Sequence, residues 1–137
     1  MSEGRQASAT NLTGVWHGIY TYPRPALSVS FVATLIENGK SLSGATNEPC
    51  VGIDCSSSTL NATLIGTRHD SAVSFVKTYD AMDDHFQDPV TYEGTLSEDA
   101  TEIEGRWIIR SAWSGKFLMI RSTGKPAAVS RKATERV

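Results

Sequence analysis

The chain has only two cysteines in 137 residues, Cys50 and Cys55, too few for the disulfide framework of a small secreted scaffold. Histidine is as scarce. His17, His69 and His85 are dispersed, and no spacing among them and the cysteines makes a four-ligand zinc site. No apolar run approaches the ~20 residues that a membrane-spanning helix needs, and the small polar segment 1–10 has no secretory h-region. A cytoplasmic location without membrane contact is therefore expected, and the Asn-x-Thr matches at Asn11 and Asn61 carry no meaning there. Basic residues are not in excess: Lys and Arg number 13 against 15 Asp and Glu, a net charge of −2. That removes the electrostatic case for nucleic acid. Also missing are the Gly-x-Ser-x-Gly elbow, the phosphate loop and the dinucleotide fingerprint. No catalytic residue is nominated, and no cofactor or metal is implied.

Helical periodicity is almost absent too, and what replaces it is period two. Residues 27–36 place Leu27, Val29, Phe31, Ala33 and Leu35 on one face and Ser28, Ser30 and Thr34 on the other, the mark of a half-buried strand. Similar runs occupy residues 14–22, 40–46, 59–67, 72–79, 90–96, 101–110 and 116–122. Asn38-Gly39 reads as a type I′ hairpin turn with positive φ at both positions. Residues 68–71, 97–100 and 111–115 supply further turns, and residues 47–58 and 80–89 are longer loops. Eight consecutive short strands with mostly short links predict an all-β fold, an antiparallel up-and-down barrel. The rival is a sandwich, which needs a long Greek-key crossing. Residues 11–122 form the single barrel domain. Residues 1–10 are a polar lead, and residues 123–137 are a tail of net charge +3 on a body of −5.

Closure of such a barrel brings its first and last strands together, and with them Trp16 and Arg121. A cation–π contact between these two would cap one end. With Trp16 inside, the same phase turns Gly18, Tyr20 and Tyr22 inward, and alternation adds Phe31, Phe75, Lys77, Tyr79, Tyr92 and Trp107. Two readings of this lining stand. In one the lumen is open and binds a small apolar or mildly acidic ligand, with Lys77, Arg106 or Arg121 meeting the acid. In the other the rings pack the barrel solid, and the chain is an oligomerising or protein-interaction barrel. A small barrel enzyme is a third, weaker reading.

A Trp on the first strand beside a basic residue on the last resembles the calycin group of lipocalins, fatty-acid-binding proteins and avidins. Over roughly residues 12–122 the layout is most similar to avidins, through the hairpin FVATLIENGKSLSG at 31–44 and the stretch WIIRSAW at 107–113. The resemblance implies the barrel and an interior ligand site. It does not extend to the biotin-binding residues. Gly18 stands at the position of a polar amide, Arg121 at that of a carboxylate, and Asn47-Glu48-Pro49 where small hydroxyls are expected.

Outside the lumen, Cys50 and Cys55 read as free thiols, with a redox pair or small disulfide loop as the alternative. Asp80, Asp83, Asp84, His85 and Asp88 read as a solvated acidic loop, since their spacing fits no calcium loop. Glu93, Glu102, Glu104, Arg106 and Arg110 read as an outer face with weak cross-strand ion pairs.

Overall fold

The computed structural model describes residues 11–23, 28–49, 59–80, 88–110 and 113–122. Within them run β1 (Gly14–Thr21), β2 (Ser28–Asn38), β3 (Ser41–Pro49), β4 (Thr59–His69), β5 (Ala72–Tyr79), β6 (Val90–Leu96), β7 (Glu102–Ile109) and β8 (Trp113–Arg121). Each strand pairs antiparallel with the next, and β1 also pairs with β8, so the all-β sheet closes into an eight-stranded up-and-down barrel. This is a calycin-like architecture. Closure leaves none of the described strands as a sheet edge.

Alternation decides which side chains face inward. Along β2 and β4 burial alternates residue by residue, and the inward positions form one continuous core from Leu12 through Trp16, Phe31, Leu64 and Phe75 to Met119. On the opposite side of the wall, Ile19, Leu118 and Ile120 form a second small buried cluster.

One end of the barrel is shut. Trp16 and Arg121 are register partners, and the guanidinium lies 5.2 Å from the indole centroid. The Trp16 indole N–H donates to the Leu12 carbonyl at 3.0 Å, while Arg121 donates to the carbonyls of Asn11 and Thr13 at 2.6 and 3.0 Å. A second plug was not legible beforehand. Arg68, expected in a turn, is an inward residue of β4, buried and paired with Glu37 at 3.1 Å. Glu37 Oε1 also accepts from the Leu12 amide at 2.8 Å.

Several boundaries and one turn differ from expectation. β3 runs on to Pro49 instead of stopping at residue 46, because inward Thr46 and Glu48 continue its alternation and Asn47 donates to Asn61 on β4 at 2.8 Å. β8 begins at Trp113, which pairs with Ile109. In the β2–β3 hairpin Asn38 pairs with Ser41, so the central residues are Gly39 and Lys40, and positive φ falls on Gly39 (65°) alone of that pair. That is the II′ pattern and not I′. The segments 1–10 and 123–137, together with Cys50, Cys55, Asp83, Asp84 and His85, lie outside the described residues.

Candidate functional site

The lumen divides into a packed half and a cavity. In the packed half the Phe75 and Tyr92 rings stack with centroids 5.0 Å apart, and Phe117 meets Tyr92 edge-on at 4.9 Å. Phe31 lies across Gly18, where an added Cβ would stand 2.2 Å from its ring. Only glycine allows that approach. The lumen is therefore neither open throughout nor packed solid: buried side chains fill one part of the barrel, and beyond them lies a cavity of about 230 Å³.

Among the described residues the cavity is lined by Tyr20, Tyr22, Glu48, Pro49, Leu60, Tyr79, Asp88, Val90, Tyr92, Trp107, Ile109 and Trp113. Of the residues nominated from the sequence, Tyr20, Tyr22, Tyr79, Tyr92 and Trp107 are brought together here. Phe31, Phe75 and Lys77 are inward but lie outside this lining. Arg106 is not in the lumen at all. It is exposed and donates to Ser114 on the outer face at 3.0 Å, because its place on β7 is one step out of phase with Trp107. Arg121 belongs to the closed end, away from the cavity.

At the base of the cavity sits a buried charged cluster. Lys77, 1% exposed, donates to Glu48 Oε1, and Glu48 is itself 2% exposed. Glu48 Oε2 accepts from the hydroxyls of Tyr20 at 2.7 Å and Tyr79 at 3.0 Å. Lys77 also donates to the Tyr92 oxygen at 3.4 Å, and its ammonium lies 4.8–5.7 Å from the ring centroids of Tyr79, Tyr20, Phe31 and Tyr92. A buried charge persists only when paired and hydrogen-bonded, and here both are. Burial pushes the Lys77 ammonium below the usual lysine range, and the Glu48 charge opposes that shift. Burial, and then the Glu48 charge, drive the Tyr20 and Tyr79 phenols far above theirs. Tyr92 is raised likewise, by burial and then by Tyr79 and Glu48.

Lys77 is thus not available to an acidic ligand, since Glu48 holds its charge. Glu48 escaped sequence reading because it was assigned to a loop ahead of Pro49. Two signals could have found it. It continues the inward phase of Leu42 and Thr46, and a lysine in the lumen phase requires an acidic partner in that same phase.

Towards the open end the rings form a box. Tyr22 stacks on Trp113 at 5.5 Å, and Trp107 stands nearly perpendicular to Tyr22 (83°) and to Trp113 (88°). Trp107 is fixed by donation of its indole N–H to the Thr21 carbonyl at 2.8 Å. Asp88 stands at the rim and accepts from Arg110, a largely exposed pair at 3.0 Å. Asp80, the other described residue of the acidic loop, accepts from the Thr63 hydroxyl at 3.1 Å. No group of three or more His, Cys, Asp or Glu able to hold a metal occurs among the described residues. Comparison with family models and with curated proteins finds no match to this chain.

Proposed function

We propose that the protein is a non-enzymatic small-molecule binder whose ligand sits in the ring-lined end of the barrel. The observation that carries this reading is the contrast within one lumen. Three rings close-pack one half, while a space of about 230 Å³ stays open under five tyrosine and tryptophan rings nominated from the sequence, joined by Trp113. A dry cavity of about 150 Å³ holds benzene, so this one suits a single ring or branched head with a short chain. Of the expected apolar or acidic ligand, the apolar part is retained. The acidic part is not, because Lys77 is taken by Glu48 and no basic side chain stands in the described lining. Biotin is not expected to bind: Gly18 lies under Phe31, and Arg121 is held by backbone carbonyls at the closed end. The test is native mass spectrometry of protein purified from its host, which reports retained ligand directly. A Val90→Trp variant fills the cavity from a described lining position, and it should lose the retained mass while keeping the β-sheet circular dichroism signature. Retention unchanged by that substitution would place the ligand elsewhere.

A second reading, compatible with the first, is self-association through the outer wall. Outward positions of β2 to β5 carry Ser, Thr, Asn, Ala, Val, Ile, Pro and His, with no Lys, Arg, Asp or Glu. Ile36, Ile65 and Val76 are exposed on three of these strands, in one register row through Ser43. Four strands make a face about 20 Å across and roughly 30 Å long, near the footprint of a standard interface. Sedimentation equilibrium decides this reading, and a monomer at all concentrations would end it. The same wall, polar outside and apolar inside, is the reverse of a membrane barrel, which supports an aqueous location and agrees with the expected cytoplasmic one. Among the described residues no helix is long and apolar enough to cross a membrane.

A further inference from the structure

We infer that the cavity selects a small organic cation, a primary or methylated ammonium on a compact apolar body. The inference rests on the small-molecule reading above and names its ligand class. Three observations carry it. The described lining combines Tyr20, Tyr22, Tyr79, Tyr92, Trp107 and Trp113 with two carboxylates, Glu48 at the base and Asp88 at the rim, and contains no Lys, Arg or His. Since Lys77 offsets the Glu48 charge, an anion would meet Asp88 and the negative ring faces, whereas a cation meets them favourably.

The rings are also arranged for a cation. Tyr20 with Tyr22 (81°), Tyr20 with Trp107 (73°), Tyr22 with Trp107 (83°) and Trp107 with Trp113 (88°) are all edge-to-face, with centroids 5.6–6.3 Å apart. The six rings stand around one cavity at differing angles, four pairs near-perpendicular and Tyr22 stacked on Trp113 at 27°. A lining of this kind can serve as a cage for an ammonium group, which gains from each ring face it meets. A purely apolar plate would be served as well by parallel rings.

The third observation is that the same lumen already holds one ammonium in this way. Lys77 Nζ lies 5.0 Å from the Tyr20 centroid, 4.8 Å from Tyr79 and 5.7 Å from Tyr92, against the Glu48 carboxylate. Those three rings also line the cavity on its base side. The internal pair of Lys77 and Glu48 is neutral as a unit, so an added cation needs its own counter-charge. Asp88 supplies it. Its present partner, Arg110, has a side chain 74% exposed, so it is released into water at little loss when a ligand ammonium takes the carboxylate.

The test uses matched pairs in calorimetric titration of the full chain: choline against 3,3-dimethylbutan-1-ol, and benzylammonium against benzyl alcohol. Each pair keeps shape and changes charge. The cationic member of at least one pair should bind about tenfold more tightly than its neutral partner. At the rim, Asp88→Asn should shrink that ratio severalfold by weakening the cation, and Trp113→Ala should weaken both members of a pair, the cation by severalfold more than the alcohol. If the neutral members bind as tightly as the cations in both pairs, the cation inference fails and the small-molecule reading stands. If neither cation binds, the cation inference is lost, and native mass spectrometry of host-purified protein decides separately whether any ligand is held. A charge preference that survives both rim substitutions overturns the cage as its cause.

Discussion

Lys77 is buried to 1% exposure inside an apolar barrel, a position that water cannot service. Its charge survives there because Glu48 and the Tyr92 oxygen lie within reach, and Glu48 in turn is held by Tyr20 and Tyr79. Removing one partner leaves the other stranded. Lys77→Met or Glu48→Gln is expected to destabilise by about 3–5 kcal/mol, while the double variant recovers a large part of that loss. Urea unfolding of the three variants measures the cycle, and additive losses would mean that the two charges are not coupled. The phenols give a pH signature of defined sign. An unfolded tyrosine ionises near pH ~10, whereas Tyr20, Tyr79 and Tyr92 stay protonated well beyond it when folded. Above pH ~10 the unfolded chain therefore binds fewer protons, and stability should fall by about 1.4 kcal/mol per pH unit for each of these tyrosines. Lys77 acts oppositely. Its depressed folded value means that stability rises with pH from that value up to ~10.4 and then levels. Unfolding measured across the alkaline range, with tyrosinate absorbance followed alongside, checks both. Three early phenolates in the folded protein would contradict the burial.

At the scale of the element, alternation is the strongest signal in the chain, and it places Tyr20, Phe31, Phe75, Tyr92 and Trp107 inward as expected. Where it was abandoned for turn chemistry, residues were lost. Residues 47–58 read as a loop, yet β3 runs on to Pro49, and Glu48 was hidden in that loop. Arg68 looked like the first residue of a turn, but β4 runs on to His69 and turns it inward onto Glu37. Polar residues on strands are read as outward by default, and only a partner reached across the barrel reverses that. The outer positions of β2 to β5 make a prediction of their own. Ile65 is 67% exposed, so Ile65→Lys should leave the isolated fold within about 0.5 kcal/mol of its stability. If that face joins copies of the chain, the same substitution shifts sedimentation to the monomer.

The whole molecule is a closed barrel, joined where β1 pairs with β8. Trp16 is fully buried between the first and last strands, with its indole N–H satisfied by Leu12 and its face under Arg121. Trp16→Ala should destabilise by about 3–5 kcal/mol, from lost apolar burial and the void left behind. Thermal or denaturant unfolding reports it, and a change below about 1 kcal/mol would put the indole outside the core.

The order of inside and outside along each strand was determined by the sequence alone, because side-chain direction in a strand has period two and needs no partner to set it. From that followed the strand number, the barrel, and most of the rings around the cavity. What only the tertiary structure decided is how far the rings fill the lumen and which charges meet inside it. Glu48 and Lys77 stand 29 positions apart in the chain. Their meeting depends on register across β3, β4 and β5, and register is a property of the closed sheet and not of any one strand.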